Sequence, residues 1–260
     1  MSVIPDLATS FAAKKAEGRT LLVPYLMAGS DDAWLDTIEA VIDAGADAVE
    51  VGLPFSDPII DGPVIQAAGL ASLERGTTGH GVLSALSRRE FAAPIVVMTY
   101  FNVVAHLGLE RFAGLASEAG VTGAIIPDLS LEELAPWASA ADAHSIATVL
   151  LVAPSTPPDR TKELCARSRG FVYAVARMGV TGERQHLGDE AARVVEKIRP
   201  FDSPPVCVGI GVSTPEQAAT VAESADGVIV GSALVRRLLD GEGPEGAAAF
   251  VGALRAAIDR

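Results

Sequence analysis

The sequence predicts an α/β fold in which parallel strands close into a barrel. Short β-branched apolar runs alternate with longer amphipathic segments along the whole chain. The strand-like runs are continuously apolar, as in parallel sheets that helices cover on both faces. With 260 residues and 49% apolar content, the chain can bury a large core. Eight such repeats in this length are typical of a (β/α)8 (TIM) barrel with additional helices.

Eight strands and nine helices can be placed along this alternation. The strands are predicted at residues 21–27, 46–51, 95–100, 123–126, 147–152, 171–176, 206–209 and 227–230. The helices are predicted at residues 31–44, 63–75, 109–119, 131–141, 158–167, 189–198, 214–222, 232–239 and 244–258. Several helices open with a cap residue or an early proline, as at Ser213, Thr214 and Pro215.

A doubly wound open sheet is the alternative architecture for this alternation. That fold carries a GxGxxG motif after its first strand, whereas this chain has Met27-Ala-Gly-Ser-Asp-Asp32 there. No linker rich in Pro, Gly or Ser divides the chain. We therefore expect residues 1–260 to form a single TIM-barrel domain, with long loops at 52–62 and 177–188.

The charge and the cysteines exclude several function classes. A formal net charge of −13 and a pI near 4.7 predict repulsion from nucleic acid and from anionic lipid. No signal pattern and no apolar run long enough to cross a bilayer is found, so we expect a cytoplasmic protein. Cys165 and Cys207 are far apart and lack CxxC spacing, which supports neither a disulfide framework nor a metal site.

Glu50 is the most informative residue, because it lies inside an apolar strand between Val49 and Val51. A carboxyl group there loses its hydration, so it must be paired with a cation, be protonated or serve a chemical function. Strand alternation turns it away from both valines and towards the barrel mouth, where such barrels hold their active sites. Asp57 and Asp61 follow in a proline-rich loop. Two carboxyl groups in different surroundings suggest that one transfers a proton while the other stays ionised and stabilises positive charge.

A structural interpretation of these acids stays open at this point. Asp57 and Asp61 precede proline and glycine, where aspartate commonly forms turns. Glu50 could be a paired structural carboxylate.

Glycines after the last two predicted strands suggest a phosphate site. Gly209 and Gly211 follow the seventh strand, Gly231 and Ser232 follow the eighth, and each pair runs into a helix start. Backbone N–H groups at such helix starts favour anions, which is how barrels of this kind commonly hold phosphate. Tight turns and close helix packing are the alternative explanation for the glycines. Thr181, between glycines on the loop after the sixth strand, suits a lid.

Four segments closely resemble the tryptophan synthase alpha subunit family. They are residues 50–66 (EVGLPFSDPIIDGPVIQ), Tyr173 with the GVTG of 179–182, residues 209–217 (GIGVSTPEQ), and Gly231-Ser232. The similarity runs in order from Val23 to Ser232, and the first segment is close to diagnostic by its length.

The resemblance implies a barrel that cleaves indole-3-glycerol phosphate to indole and glyceraldehyde 3-phosphate, without a metal or organic cofactor in this chain. By the family pattern Glu50 transfers the protons, and Asp61 binds the indole N–H and stabilises its charge. The resemblance also implies these substrate-binding residues: Tyr25, Ile65, Met98 and Ile210 as apolar wall, Tyr173 at the pocket border, Gly182, Gly211, Gly231 and Ser232 around the phosphate, and Thr181 on the closing loop.

The resemblance further implies a partner, the beta subunit of tryptophan synthase. That subunit carries pyridoxal phosphate (PLP) and receives indole through a tunnel, in an expected α2β2 heterotetramer. The residues expected to face it are Pro54, Asp57, Pro58, Asn102 and Asp128. From the residues alone, Asn102 is as readily explained as a loop residue that caps a helix.

Two other functions remain compatible with the sequence. A stand-alone indole-3-glycerol phosphate lyase would share the barrel and both acids yet release indole freely. A non-catalytic barrel that binds a phosphorylated sugar and regulates a partner is the alternative from another class. Val103, Ser130 and Arg177 depart from the family's usual proline, proline and serine, and none belongs to the proposed acid–base pair.

Overall fold

Eight parallel strands form a closed barrel in the computed structural model, which describes residues 6–175, 186–209 and 211–259. Each strand pairs with the next along the chain, and the eighth pairs with the first. The strands are β1 Leu21–Met27, β2 Val49–Gly52, β3 Ile95–Met98, β4 Val121–Ile125, β5 Ala147–Val152, β6 Val172–Val175, β7 Val206–Gly209 and β8 Gly227–Val230. The predicted TIM-barrel fold is thus confirmed, and the doubly wound open sheet is excluded.

Twelve helices surround the barrel in the described part of the chain. They are α1 Leu7–Ala16, α2 Trp34–Asp43, α3 Pro63–Glu74, α4 Gly79–Leu86, α5 Phe101–Leu107, α6 Leu109–Glu118, α7 Leu134–Ala143, α8 Pro158–Arg167, α9 His186–Ile198, α10 Pro215–Ala222, α11 Ser232–Leu239 and α12 Gly243–Ile258. The predicted cap is present, because the Thr214 side chain accepts a hydrogen bond from the Gln217 amide at the start of α10.

Helices α1, α4 and α5 are absent from the elements predicted by sequence, and each forms for a tertiary reason. In α1, Leu7 and Phe11 are fully buried against the barrel interior. Helix α4 contains Gly79 and Gly81, which have weak helix propensity, but its apolar face is buried. Helix α5 is a seven-residue helix whose first amide, that of Phe101, donates to Asp128 from another loop.

Alternation along the strands divides the barrel interior into layers. The lower layer is apolar and contains Leu21, Val23, Ala48, Val96, Ile125, Val149, Phe171, Cys207 and Ile229, with Leu7 and Phe11 of α1. Side chains two residues further along a strand point to the same side. Tyr25, Glu50 and Tyr173 each follow a residue of this layer by two positions (Val23, Ala48 and Phe171). They therefore lie above the apolar layer on the interior side.

The buried Asp47 carboxylate ties the lower end of the barrel together. Its side chain is fully buried and pairs with Lys14 (2.9 Å), Arg19 (2.8 Å) and Arg255 (2.9 Å). Its second oxygen also accepts the Leu22 amide at 2.8 Å. These partners come from α1, the following turn, α12 and β1, so one carboxylate joins both ends of the chain to the sheet.

We expect Asp47→Ala to lower the free energy of unfolding by about 3 kcal/mol, because it removes a fully buried carboxylate from the buried Arg255 and from the partly buried Lys14 and Arg19. Urea unfolding followed by circular dichroism measures this. The matched control is Asp32→Ala, which removes an exposed aspartate paired with Arg75 and should change stability little. Equal stability of the two variants would contradict the role assigned to Asp47.

Candidate active site

Glu50 points into the barrel from the middle of β2. Its neighbours Val49 and Val51 pack into the core between the sheet and the helices, on the opposite face. Glu50 pairs in register with Tyr25 of β1 and Val96 of β3, and only 1% of its surface is exposed. Strand alternation therefore places a carboxyl group in the barrel interior, as the sequence predicts.

The surroundings of Glu50 favour its protonated form. Neither carboxyl oxygen has a hydrogen-bond partner among the described residues. Burial, and then the negative charge of Asp61, raises the pKa of Glu50 from 4.5 to about 8. At neutral pH the group therefore holds a proton that it can transfer.

Asp61 faces Glu50 from the loop between β2 and α3. It is half-buried, and burial raises its pKa, while a hydrogen bond from the Tyr100 hydroxyl acts in the opposite direction. The loop is held by Gln66, whose side-chain amide donates to the carbonyl oxygens of Asp61 (2.9 Å) and Pro58 (3.2 Å). The structure thus brings the two predicted acids together in different surroundings.

Tyr100 is a site residue that the sequence reasoning missed. It lies two residues after the end of β3, and its hydroxyl accepts the Ile60 amide N–H at 3.0 Å. Its ring stacks on Phe55 at a centroid distance of 4.9 Å. Tyr100 therefore anchors both ends of the loop that carries Asp61. The available signal was a tyrosine at the carboxyl end of a barrel strand, where functional groups concentrate.

Gly52, which sequence reasoning missed, and Gly209, which it gave only as part of a phosphate-site pattern, make room for two interior tyrosines. A Cβ atom on Gly52 would lie 2.0 Å from the Tyr25 hydroxyl oxygen, and one on Gly209 would lie 2.4 Å from that of Tyr173. Each tyrosine occupies the space that a side chain on the neighbouring strand would need. Gly52 and Gly209 are thus required by close approach, and they bring both phenols into the same interior layer as Glu50.

The predicted residues line one cavity of about 200 Å³ at the carboxyl end of the barrel. Nine of them contribute to its wall: Tyr25, Glu50, Asp61, Ile65, Met98, Tyr173, Gly211, Gly231 and Ser232. Gly209 of the predicted glycine pattern also lines it, as do residues not predicted for the site: Ile60, Gly62, Leu151, Val175 and Ile229. The predictions for Thr181, Gly182 and Ile210 fall outside the described residues.

The edge of the cavity formed by the start of α11 is suited to an anion. Gly231 is the N-cap of α11 and Ser232 is its first residue, so free backbone N–H groups lie at this edge of the cavity. A Cβ atom on Gly231 would make only an ordinary contact, 3.7 Å from the Tyr25 Cβ. Packing does not require this glycine, which favours a role in ligand approach.

The residues expected at a partner interface differ in exposure. Asp57 is exposed and accepts the Ser56 hydroxyl at 2.6 Å, Pro58 is half-buried, and Pro54 is buried. Asn102 is exposed in the first turn of α5. The helix start is capped from Asp128, whose carboxylate accepts the Phe101 amide at 2.8 Å. Capping is thus provided by Asp128, and Asn102 offers its side chain to the surface.

Neither a metal cluster nor a membrane-spanning helix is found in the described ranges. No three His, Cys, Asp or Glu side chains there are grouped so that they could hold a metal ion. No helix of residues 6–175, 186–209 and 211–259 is long and apolar enough to cross a bilayer. Cys165 and Cys207 are both buried and unpaired.

We expect Glu50→Gln to stabilise the folded protein by about 3 kcal/mol at pH 7. The pKa of Glu50 is raised on folding, so the wild type loses stability as pH rises from about 4.5 to about 8. Glutamine stays neutral, and the stability difference should therefore vanish below pH 4.5. Urea unfolding at several pH values measures it, with the exposed Glu118→Gln as control. A difference that does not vary with pH would refute the shifted pKa.

Comparison with known proteins agrees with this geometry. The sequence model of the family described as tryptophan synthase alpha chain matches residues 11–254. The alpha chain of Streptomyces avermitilis is 48% identical over 240 residues, which cover 91% of this chain and 87% of that protein. That of Streptomyces coelicolor is 46% identical over 257 residues, covering 97% and 94%.

Solved structures show the same likeness in three dimensions. A structure of tryptophan synthase from M. tuberculosis superposes with a TM-score of 0.89 at 37% identity, covering 99% of this chain and 100% of the matched one. The alpha subunit from Legionella pneumophila has a TM-score of 0.87 at 30% identity, covering 97% and 98%. This chain therefore belongs to the tryptophan synthase alpha chain family, lyases of tryptophan biosynthesis that cleave indole-3-glycerol phosphate to indole and glyceraldehyde 3-phosphate.

Proposed function

We propose that this chain cleaves indole-3-glycerol phosphate with Glu50 as the proton-transfer group and Asp61 as the group that stabilises positive charge. One observation carries the proposal. The two carboxyl groups line the same 200 Å³ cavity, and the pKa of Glu50 is raised to about 8 while its oxygens have no described hydrogen-bond partner. A carboxyl group that is protonated near neutral pH can act as an acid and then as a base.

The reaction needs two proton transfers, and one group can make both. Glu50 gives its proton to indole C3, so that the ring nitrogen becomes positively charged. Asp61 accepts a hydrogen bond from that N–H and stabilises the charge as it develops. The Glu50 carboxylate then takes the proton of the side-chain hydroxyl as the C–C bond breaks, which releases indole and the aldehyde and restores the protonated acid.

The rest of the cavity matches the two ends of this substrate. Tyr25, Ile65, Met98 and Tyr173 form an apolar wall near the acids, which suits an indole ring. Gly211, Gly231 and Ser232 also line the cavity, and backbone N–H groups at the start of α11 can bind phosphate there. Roles for Thr181, Gly182 and Ile210 in closing the site and holding the substrate remain part of the proposal.

We expect Asp61→Asn to lower kcat about 10²- to 10³-fold with KM within a few-fold of wild type. The reason is that Asp61 acts mainly on charge that develops in the transition state. Steady-state assays of indole release measure both constants. Asp142→Asn, an exposed change on α7, is the control and should keep wild-type kinetics.

Two outcomes of these assays would contradict the proposed roles. A raised KM with unchanged kcat for Asp61→Asn would show that Asp61 serves binding alone. Full lyase activity in Glu50→Gln would refute Glu50 as the proton-transfer group. Absence of lyase activity in the wild type would favour the non-catalytic barrel that binds a phosphorylated sugar.

A beta subunit is the proposed partner, since solved relatives include tryptophan synthase complexes. We propose an α2β2 assembly in the cytoplasm in which PLP is bound by the beta subunit and residues 1–260 act as one catalytic domain. The loop between β2 and α3 supports this docking face. In this loop, beside Asp57 and Pro58, 84% of the surface of Ile59 and 48% of that of Ile60 are exposed to solvent. Exposed apolar side chains at the rim of a cavity are typical of protein interfaces.

We expect Ile59→Asp to weaken binding to a cognate beta subunit at least tenfold, because a charge would replace apolar contact area. Isothermal titration calorimetry measures the affinity, and Leu239→Asp, a partly exposed apolar residue on α11, is the control. The turnover of the isolated chain is compared with that of the complex. High activity alone, unchanged by the partner, would instead identify a stand-alone lyase.

A further inference from the structure

We propose that Tyr25 is a positioning residue whose hydroxyl donates a hydrogen bond to the Glu50 carboxylate once Glu50 has given up its proton. The inference rests on the proposed role of Glu50 and deepens it. It assigns the phenol of Tyr25 a function beyond that of apolar wall.

The strands place Tyr25 directly beside Glu50. The two residues are register partners on the neighbouring strands β1 and β2, and both side chains point into the barrel. The hydroxyl oxygen of Tyr25 lies 2.0 Å from where a Cβ atom on Gly52 would be. Gly52 follows Glu50 by two residues on the same side of β2. The ring of Tyr25 therefore leans across β2 over the glycine that follows the acid.

Glu50 needs a donor that its resting surroundings do not provide. Both of its oxygens are buried and have no hydrogen-bond partner in the described ranges. That suits a protonated acid, but a carboxylate left there after proton transfer would be costly. The titratable groups that face Glu50 are Asp61, Tyr25 and Tyr173. Asp61 adds negative charge, so among these groups only the hydroxyls of Tyr25 and Tyr173 can donate a hydrogen bond to the Glu50 carboxylate.

Tyr25 is better placed for this task than the other tyrosines. Tyr100 is engaged with the Ile60 amide and with Asp61. Tyr173 lies on β6 and leans over Gly209 of β7, whereas β1 is paired directly with β2. Burial, and then the charges of Asp61 and Glu50, raises the pKa of Tyr25 well above its ordinary value, so the phenol keeps its proton.

The hydrogen bond changes the proton affinity of Glu50 without taking part in proton transfer. The O–H bond of Tyr25 stays intact while the proton of Glu50 moves to indole C3. A hydrogen bond to a charged group favours the ionised form of Glu50 and eases its proton donation. Its loss is expected to slow the reaction about 10- to 100-fold.

The first test is Tyr25→Phe, which removes the hydroxyl and keeps the ring. We expect kcat to fall about 10- to 100-fold with KM within about twofold of wild type. The basic limb of the pH–rate profile should move to higher pH by about one unit, because Glu50 loses a group that stabilises its carboxylate. A carbon-13 NMR titration of the Glu50 carboxyl should show the same upward shift, and thermal unfolding checks that the variant folds.

Tyr173→Phe is the matched comparison, since it deletes the same group from the other phenol that faces Glu50. The basic limb of its pH–rate profile should stay at the wild-type position. Gly52→Ala, which fills the space of the Tyr25 hydroxyl, should move the limb in the same direction as Tyr25→Phe. A shift in Tyr173→Phe together with none in Tyr25→Phe would overturn the assignment.

The outcomes separate this inference from the proposed catalytic roles. If Glu50→Gln is inactive while Tyr25→Phe keeps the wild-type kcat and pH limb, Glu50 is the acid and the role of Tyr25 is refuted. If Glu50→Gln remains fully active, the catalytic role of Glu50 fails, and the inference about Tyr25 fails with it.

Discussion

The site depends on one constraint, a carboxyl group held inside a closed barrel without a hydrogen-bond partner among the residues that the structure describes. Glu50 is in this position because β2 alternates, with Val49 and Val51 packed against the helices and the acid turned inward. Below it the interior is filled by apolar side chains, so little water can reach the carboxyl group from that side. The fold raises the pKa of Glu50 mainly by burying its carboxyl group, and the negative charge of Asp61 adds to this effect.

The carboxyl end of the barrel adds what the strand cannot supply. Asp61 reaches the cavity from a loop that is held by Tyr100 and Gln66, so its position depends on β3 and α3 as well as on its own segment. Gly52 and Gly209 leave space for two phenols in the layer of Glu50. The start of α11 adds backbone N–H groups, so the cavity has an acidic part, an aromatic part and a helix start of the kind that favours anions.

Much of this arrangement was predictable from sequence, for reasons that particular residues show. The eight strands are continuous apolar runs, and Glu50 interrupts one of them, so fold and acid follow from local patterns. The ends of elements were less predictable. The second strand begins at Val49 and not at residue 46, because the Asp47 side chain pairs with Lys14, Arg19 and Arg255 from distant segments. Tyr100 was missed because its partners, the Ile60 amide and Asp61, are about 40 residues away in sequence.

The sequence by itself determined the barrel, the inward direction of Glu50 and the glycine-flanked helix starts, because periodicity and local backbone preferences act within a few residues. Only the tertiary structure decided that Asp61, Gly231 and the tyrosines of β1 and β6 share one cavity with that acid. It also decided which glycines packing requires, such as Gly52 and Gly209, and which it does not, such as Gly231. These outcomes depend on register and on barrel closure, which bring together atoms that the chain separates by up to two hundred residues.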